Sequence, residues 1–533
     1  MAKRTLQVED LWRLARPAQP TLSPDGSQAC ASVTTYDMEA NKGRSRLWLF
    51  SAFGGEPRPL TEAGEKDGEP RWSPDGRWIA FVAKRGDDEE PQPYLIAPDG
   101  GEAKRIVKMP TGVSGLKWFP DSKRIAFISW VWPDARGYDD LAARLKAKKD
   151  SKVQAHVVEH SAYRYWDHWL SDGRVPRLFV ADLEGRRITD LFAGTPYELA
   201  RDDPSAPDYD ISPDGREIAF GWDPAEDKRF DHAYRLMALD LRTREFRELA
   251  KGLKRSCTSP AYSPDGKHLA FLARDLKRSP VAESRIAILD RRSGEARTLP
   301  WGWDRSAEAP LAWEAGSDSL VFAAEDRARR HVYRWRLDEP KPAVAALGGT
   351  VTDFAAGGGT LAFVRNTMST PPMVYCATPE GGERRVDRFN DDVMAGIRLG
   401  EVKEVEIRGW NGEKVHMWLV FPPDFDPKRR WPLLHNIHGG PHGCWGDNFH
   451  FRWNNQAFAA QGYVVACVNY HGSSSFGQRF LESIDGEWGK RELADVEAGT
   501  DWALQQGWID GKRLVASGGS YGGYMVAWMN GHT

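Results

Sequence analysis

One four-residue turn returns along the first half of the chain. Ser23-Pro24-Asp25-Gly26 recurs as Ser73-Pro74-Asp75-Gly76, Ser212-Pro213-Asp214-Gly215 and Ser263-Pro264-Asp265-Gly266, with Phe119-Pro120-Asp121-Ser122 as a variant. Proline presets one φ of such a turn and glycine accepts a positive φ, so each copy reads as a tight reversal. A short apolar strand follows four of the five, as in Trp78-Ile79-Ala80-Phe81 and His268-Leu269-Ala270-Phe271, and two weaker copies lie at 316–322 and 358–363. Between turns come further strands, such as Leu47-Trp48-Leu49-Phe50 and Ile286-Ala287-Ile288-Leu289, each ending in a glycine-bearing reversal. Pro24, Pro74, Pro120, Pro213 and Pro264 stand 50, 46, 93 and 51 residues apart. A period of about 40–50 residues with four short strands per unit is the pattern of a β-propeller. Counting both halves gives seven units over residues 21–390, preceded by a segment 1–20 expected to pack on the C-terminal part. A β-sandwich would not repeat one turn at this spacing, and the Gly-His and Trp-Asp marks of WD40 blades are absent from the matching places.

The 93-residue interval means that the third unit is opened by an insertion at about 132–174. Residues 141–149 have helical composition, and 159–169 are dense in aromatic and ionisable groups. A surface excursion and the wall of a ligand cavity are both open readings, since long loops on rigid scaffolds carry binding groups. His156 and His160 stand four apart, but no third ligand accompanies them, and no metal site is read there.

Past about residue 390 the repeats stop. Strands are expected at 402–407, 415–421, 431–437 and 463–468, with helices at 454–461 and 492–506. The last strand, around Leu514-Val515-Ala516, reads as buried and runs into Gly518-Gly519-Ser520-Tyr521-Gly522-Gly523, with a helix from 524 onward. Strands alternating with helices imply a mainly parallel, doubly wound sheet. A strand, Gly-x-Ser-x-Gly and a helix in that order make a nucleophile elbow, which marks residues 391–533 as part of an α/β-hydrolase domain. Ser520 is the candidate nucleophile. The backbone N–H of Tyr521 and one from Gly440, in His438-Gly439-Gly440-Pro441, are the candidate oxyanion donors. His438 and His471 precede the serine, whereas this fold orders its triad serine, acid, histidine; His438 is read as orienting its loop.

A chain of 533 residues exceeds a single core. Its net charge of −3 gives no reason to expect nucleic acid or an anionic membrane as partner. No apolar run reaches the roughly 18 residues that a spanning helix needs, and the first residues lack the apolar core of a leader. A cytoplasmic location is therefore expected, or a periplasmic or secreted one if a leader has been removed. The five cysteines are odd in number and scattered, as buried apolar residues are. No cofactor is expected.

The propeller, His438-Gly439-Gly440-Pro441, Asn469-Tyr470-His471-Gly472-Ser473-Ser474-Ser475-Phe476-Gly477, Gly486-Glu487-Trp488-Gly489 and the elbow together resemble the prolyl oligopeptidase family of serine peptidases, within it the acylaminoacyl-peptidase and dipeptidyl-peptidase V branch. The resemblance covers nearly the whole chain. It implies cleavage of short peptides at a serine between propeller and hydrolase domain, with Ser520 as nucleophile and Tyr521 and Gly440 at the oxyanion. A dipeptidyl-peptidase is the expected activity; acylaminoacyl-peptidase, esterase or lipase, and a non-catalytic propeller scaffold are the alternatives. A free substrate amine calls for a carboxylate, for which Glu159, beside Tyr163, is the candidate. His471 stands where many members carry arginine, which bears on the pocket and not on the nucleophile. The family's triad aspartate and histidine follow the serine, but Asp495, Asp501 and Asp510 precede it and His532 lies far along the elbow helix. The sequence therefore reads as a hydrolase domain lacking its C-terminal half, inactive alone. A continuation or a second chain is expected to bring the missing pair to the edge of the elbow strand, and a homo-oligomer is compatible with the sequence.

Overall fold

The computed structural model describes residues 3–533 except 154, 186, 227, 229–231, 277–280, 300 and 301. Each Ser-Pro-Asp-Gly turn is closed by its own side chains. In the first copy Ser23 Oγ donates to Asp25 Oδ1 at 2.6 Å, Ser27 N donates to the same oxygen at 3.0 Å, and Gly26 takes φ 71°. The contact of Ser with Asp recurs at Ser73, Ser212 and Ser263. The local chemistry that reverses the chain is thus repeated with the sequence.

Each turn joins the first two strands of an antiparallel four-strand meander. Among the described residues there are five four-stranded sheets and one eight-stranded sheet, the latter joining two meanders where Arg330 pairs with Thr350. The first strands pack side by side, with Arg16–Leu22 beside both Gly68–Trp72 and Thr350–Gly357. At the same seam Gly26 abuts the last meander: a Cβ there would stand 2.7 Å from Gly358 O. Alternating residues fill the gaps between sheets, with Phe81, Phe127, Phe220, Phe271, Phe322 and Phe363 fully buried at equivalent places. The insertion lies between Arg124–Val131 and Val175–Asp182 and holds the helix Tyr138–Asp150.

The segment ahead of the first meander pairs Arg4–Thr5 in parallel with Ile397–Arg398 and buries Leu6, Leu11 and Leu14 against Ile397 and Phe449. The C-terminal part carries a five-stranded sheet ordered Val402–Arg408, Lys414–Val420, Val464–Asn469, Trp431–Ile437, Ile509–Gly518. The last three run parallel, and the elbow strand stands at the sheet's end. One expectation is corrected here: Leu514 and Val515 are each 43% exposed, not buried, because no strand among the described residues covers the outer side of theirs. The helices Arg491–Gln505 and Tyr521–His532 pack against this sheet, the second opening three residues earlier than its sequence suggests. No described helix is long and apolar enough to cross a bilayer. The architecture is a β-propeller followed by an α/β-hydrolase-type sheet.

The seam between first and last meanders makes a testable difference between two glycines. Gly26 and Gly86 both have positive φ, but a Cβ at Gly86 meets open space. Gly86→Ala is expected to cost only the left-handed penalty of about 1–2 kcal/mol. Gly26→Ala adds a backbone clash and should cost clearly more in urea unfolding; equal costs would show that the seam is not packed.

Candidate active site

The elbow is shaped by glycines that allow backbones to touch. A Cβ on Gly522 would lie 2.1 Å from Ile437 O, and one on Gly518 would lie 2.6 Å from the Gly522 carbonyl carbon. Strand, turn and helix therefore collapse onto the neighbouring strand, and Ser520 is left at φ 55°, ψ −121° between them. A non-glycine residue in this conformation is strained and needs surrounding structure to hold it. Ser520 is exposed, and its main-chain carbonyl accepts from Tyr524 N at 3.0 Å.

The turn after strand Trp431–Ile437 lies beside the serine. A Cβ on Gly439 would stand 3.3 Å from Ser520 Cβ and 3.8 Å from its Oγ. Gly440, next in the chain, has φ 130°. Of the predicted groups, Ser520, Tyr521 and the Gly439-Gly440 turn are thus brought together. The Tyr521 N–H opens the helix, where the first-turn donors have no intrahelical acceptor. Its ring is anchored: the hydroxyl donates to buried Glu492 at 2.5 Å, which also accepts from Gly489 N.

His438 supports the turn. It stacks on Tyr470 with centroids 4.1 Å apart; its Nε2 lies 2.9 Å from Ser473 Oγ and its Nδ1 2.8 Å from the Gly439 carbonyl oxygen. Burial holds its pKa down to about 4, so the ring is neutral at pH 7. His471 is also occupied: Nδ1 meets Asp495 Oδ2 at 2.7 Å, and Asp495 further accepts from His471 N and Trp410 N. The Asp495 carboxylate is therefore committed away from the serine. At the far end of the elbow helix, His532 stacks on Trp528 at 3.7 Å.

The segment that steadies His438 also meets the propeller. Ser474 Oγ donates to Glu325 at 2.5 Å, Ala328 N donates to Ser475 Oγ at 2.7 Å, and Glu283 N donates to the Gln478 side chain at 2.7 Å. Met368 N donates to Asp447 at 2.8 Å. These propeller groups lie in or beside the connection between second and third strands of three meanders. In an antiparallel meander all such connections share one end, so that end faces the hydrolase sheet. The insertion 132–174 and the connection 223–234 are the same kind of connection and belong to the same side. A cavity of about 660 Å³ lies where the parts meet, lined by Val281, His442, Asp485, Gly486 and Trp488. The ring of Trp488 meets that of Tyr521 edge-on at 5.3 Å, which places the cavity next to the elbow.

Glu159 is exposed, and Tyr163, 38% exposed, packs near Trp169. The insertion contacts its own hairpin, the preceding meander through Lys149 to Glu89, and the chain beyond it through Ser161 to Lys228 O and His168 to Asp203. His156 stacks on Trp169 at 3.9 Å. Sequence reasoning misses His442 and Asp485; of the cavity wall only Trp488 falls in a motif it picks out, Gly486-Glu487-Trp488-Gly489.

A propeller set over a hydrolase sheet, with an elbow serine at their junction, defines a two-part serine hydrolase. The signature described as "Prolyl oligopeptidase family" matches residues 449–533. Dipeptidyl-peptidase 5 of Porphyromonas gingivalis is 27% identical over 99% of this chain and 77% of its own length; that of Aspergillus fumigatus is 26% identical, again over 99% and 77%. Among solved structures, the acylaminoacyl peptidase of Pyrococcus horikoshii superposes with TM-score 0.81 at 19% identity, over 99% of this chain and 77% of that one. A puromycin-hydrolyzing peptidase of Mycobacterium tuberculosis gives 0.70 at 16%, over 100% and 79%. Residues 449–533 thus carry the prolyl oligopeptidase family signature, and nearly the whole chain is similar to serine peptidases of that kind.

The buried imidazoles set an acid limit on stability. His435, whose Nε2 lies 2.8 Å from Thr500 Oγ1, is held to about 4 by burial, as His438 is. Their folded values lie below the ordinary 6.5, so the unfolded chain takes up the protons first. Stability is full above about pH 6.5 and falls toward pH 4, by about 1.4 kcal/mol per pH unit for each ring. His435→Gln should flatten the unfolding free energy between pH 6 and 4.5 by that amount; an unchanged slope would contradict a neutral buried ring.

Proposed function

We propose that this chain is the propeller and nucleophile-bearing part of a serine dipeptidyl-peptidase that cleaves short peptides near their N-termini. The observation that carries the reading is Ser520, held at positive φ with Gly439 against it, next to a cavity shared with the propeller. Ser520 attacks the scissile carbonyl, and the N–H groups of Tyr521 and Gly440 stabilise the oxyanion. The names of the relatives that match over nearly the whole chain support the dipeptidyl activity. The structural neighbours supply the second reading, an acylaminoacyl-peptidase.

The meanders are read as seven blades of a propeller closed at Gly26 and Gly358, with domain boundaries near residues 20 and 390. A propeller over the serine excludes folded proteins. The acid and base of the triad are assigned to a segment outside these 533 residues, in the same polypeptide or a second one. Two observations support that assignment. Asp495, His438, His471 and His532 are all engaged elsewhere, and the elbow strand offers a bare apolar edge of the kind that another strand covers. Glu159 and Tyr163 remain candidates for the substrate amine, being carried on the side of the propeller that faces the hydrolase sheet.

A fluorophosphonate probe tests the assignment. It should label Ser520 in a protein that carries the family's C-terminal part and leave the 533-residue chain unlabelled. Strong labelling of the shorter chain would locate the base within it. Dipeptidyl and acetyl-aminoacyl chromogenic substrates then separate the two peptidase readings. A charge-assisted contact contributes about 1.5–3 kcal/mol, so Glu159→Gln should lower kcat/KM on free-amine peptides roughly ten- to a hundredfold and spare acetylated ones. Equal losses on both would remove Glu159 from the role.

A further inference from the structure

The connection 223–234 of the fourth meander gathers Asp223, Glu226 and His232, with their ligand atoms within 4.8 Å of one another. His232 Nδ1 lies 3.3 Å from Glu226 Oε2 and 3.6 Å from Asp223 Oδ2. These separations are long for a charge-assisted hydrogen bond, which runs about 2.7–2.9 Å. They suit a different geometry: ligands at about 2.0–2.1 Å from a tetrahedral zinc stand roughly 3.3–3.4 Å apart.

The carboxylates are also aimed. Asp223 Oδ1 accepts from Ala225 N at 3.0 Å and Oδ2 from Ala233 N at 2.8 Å. Glu226 Oε1 accepts from Arg201 N at 2.7 Å and lies 3.5 Å from the Tyr234 hydroxyl. That leaves Oε2 turned toward the cluster. Glu226 is only 3% exposed, yet this oxygen is buried and has no hydrogen-bond partner among the described residues. Buried carboxylate oxygens ordinarily have one. Backbone donors that fix a ligand's outer lone pairs are what metal sites use to orient their carboxylates.

We propose that Asp223, Glu226 and His232 bind one divalent transition cation, with zinc as the probe, on the side of the propeller that faces the hydrolase sheet. The mixed imidazole and carboxylate set favours zinc over calcium, which takes six to eight oxygens. The ion has no part in peptide cleavage. It cross-links the 223–234 connection, on which the insertion rests through Ser161 and Lys228 O, and so fixes the rim above the hydrolase sheet.

The test uses the 533-residue chain, stripped with chelator and titrated with Zn²⁺ by calorimetry, with metal content measured after gel filtration. One equivalent of zinc per chain is expected, together with a higher unfolding temperature in its presence. Glu226→Gln and His232→Gln should each weaken binding at least about tenfold, whereas His168→Gln, an exposed imidazole on the insertion, should not. The His232 side chain is less buried than that of Glu226, 16% against 2% exposed, so its variant reads the site even if Glu226→Gln fails to fold. Absence of stoichiometric zinc, uptake of Ca²⁺ in its place, or zinc binding that survives both substitutions would overturn the assignment.

Discussion

Gly522 rests so closely on the Ile437 carbonyl that no side chain fits between them. Much of the C-terminal part follows from that contact. It brings the elbow helix down on the strand beside it, and Ser520 must then take up a conformation that only its surroundings make tenable. The same approach sets Gly439 against the serine, so backbone packing shares in placing the turn that follows strand Trp431–Ile437. Side chains then stiffen what packing has placed. His438 is sandwiched on Tyr470 and tied to Ser473, and Tyr521 is pinned by Glu492. A neutral, buried His438 suits this role, because a charged ring would have to be desolvated in the same space.

What the sequence makes legible is what the chain does with near neighbours. Each Ser-Pro-Asp-Gly turn is satisfied within a few residues, by its own serine, aspartate and glycine, so a reader of the chain sees the whole interaction. The elbow motif is read locally too, although the contact of Gly522 with Ile437 that seats it is not. Contacts between distant segments are not visible in this way. Leu514 and Val515 look like core residues because they are apolar, but their exposure depends on which strands flank theirs, a property of sheet order. The cavity takes Val281, His442 and Trp488 from three regions that share no spacing. His471 stands out as a departure from the family pattern, yet its partner Asp495 lies on a separate helix. The trio at Asp223, Glu226 and His232 was hidden by irregular spacing, while the better-spaced His156 and His160 went instead to a tryptophan and a surface loop.

One of the short stretches of chain that join the propeller to the hydrolase sheet has two jobs. Ser474, Ser475 and Gln478 hold the propeller, while Ser473, next to them, holds His438. Any separation of the two parts wide enough to admit a peptide would pull on this stretch and slacken the support behind Gly439. The junction between the two parts and the turn beside Ser520 therefore share one mechanical support.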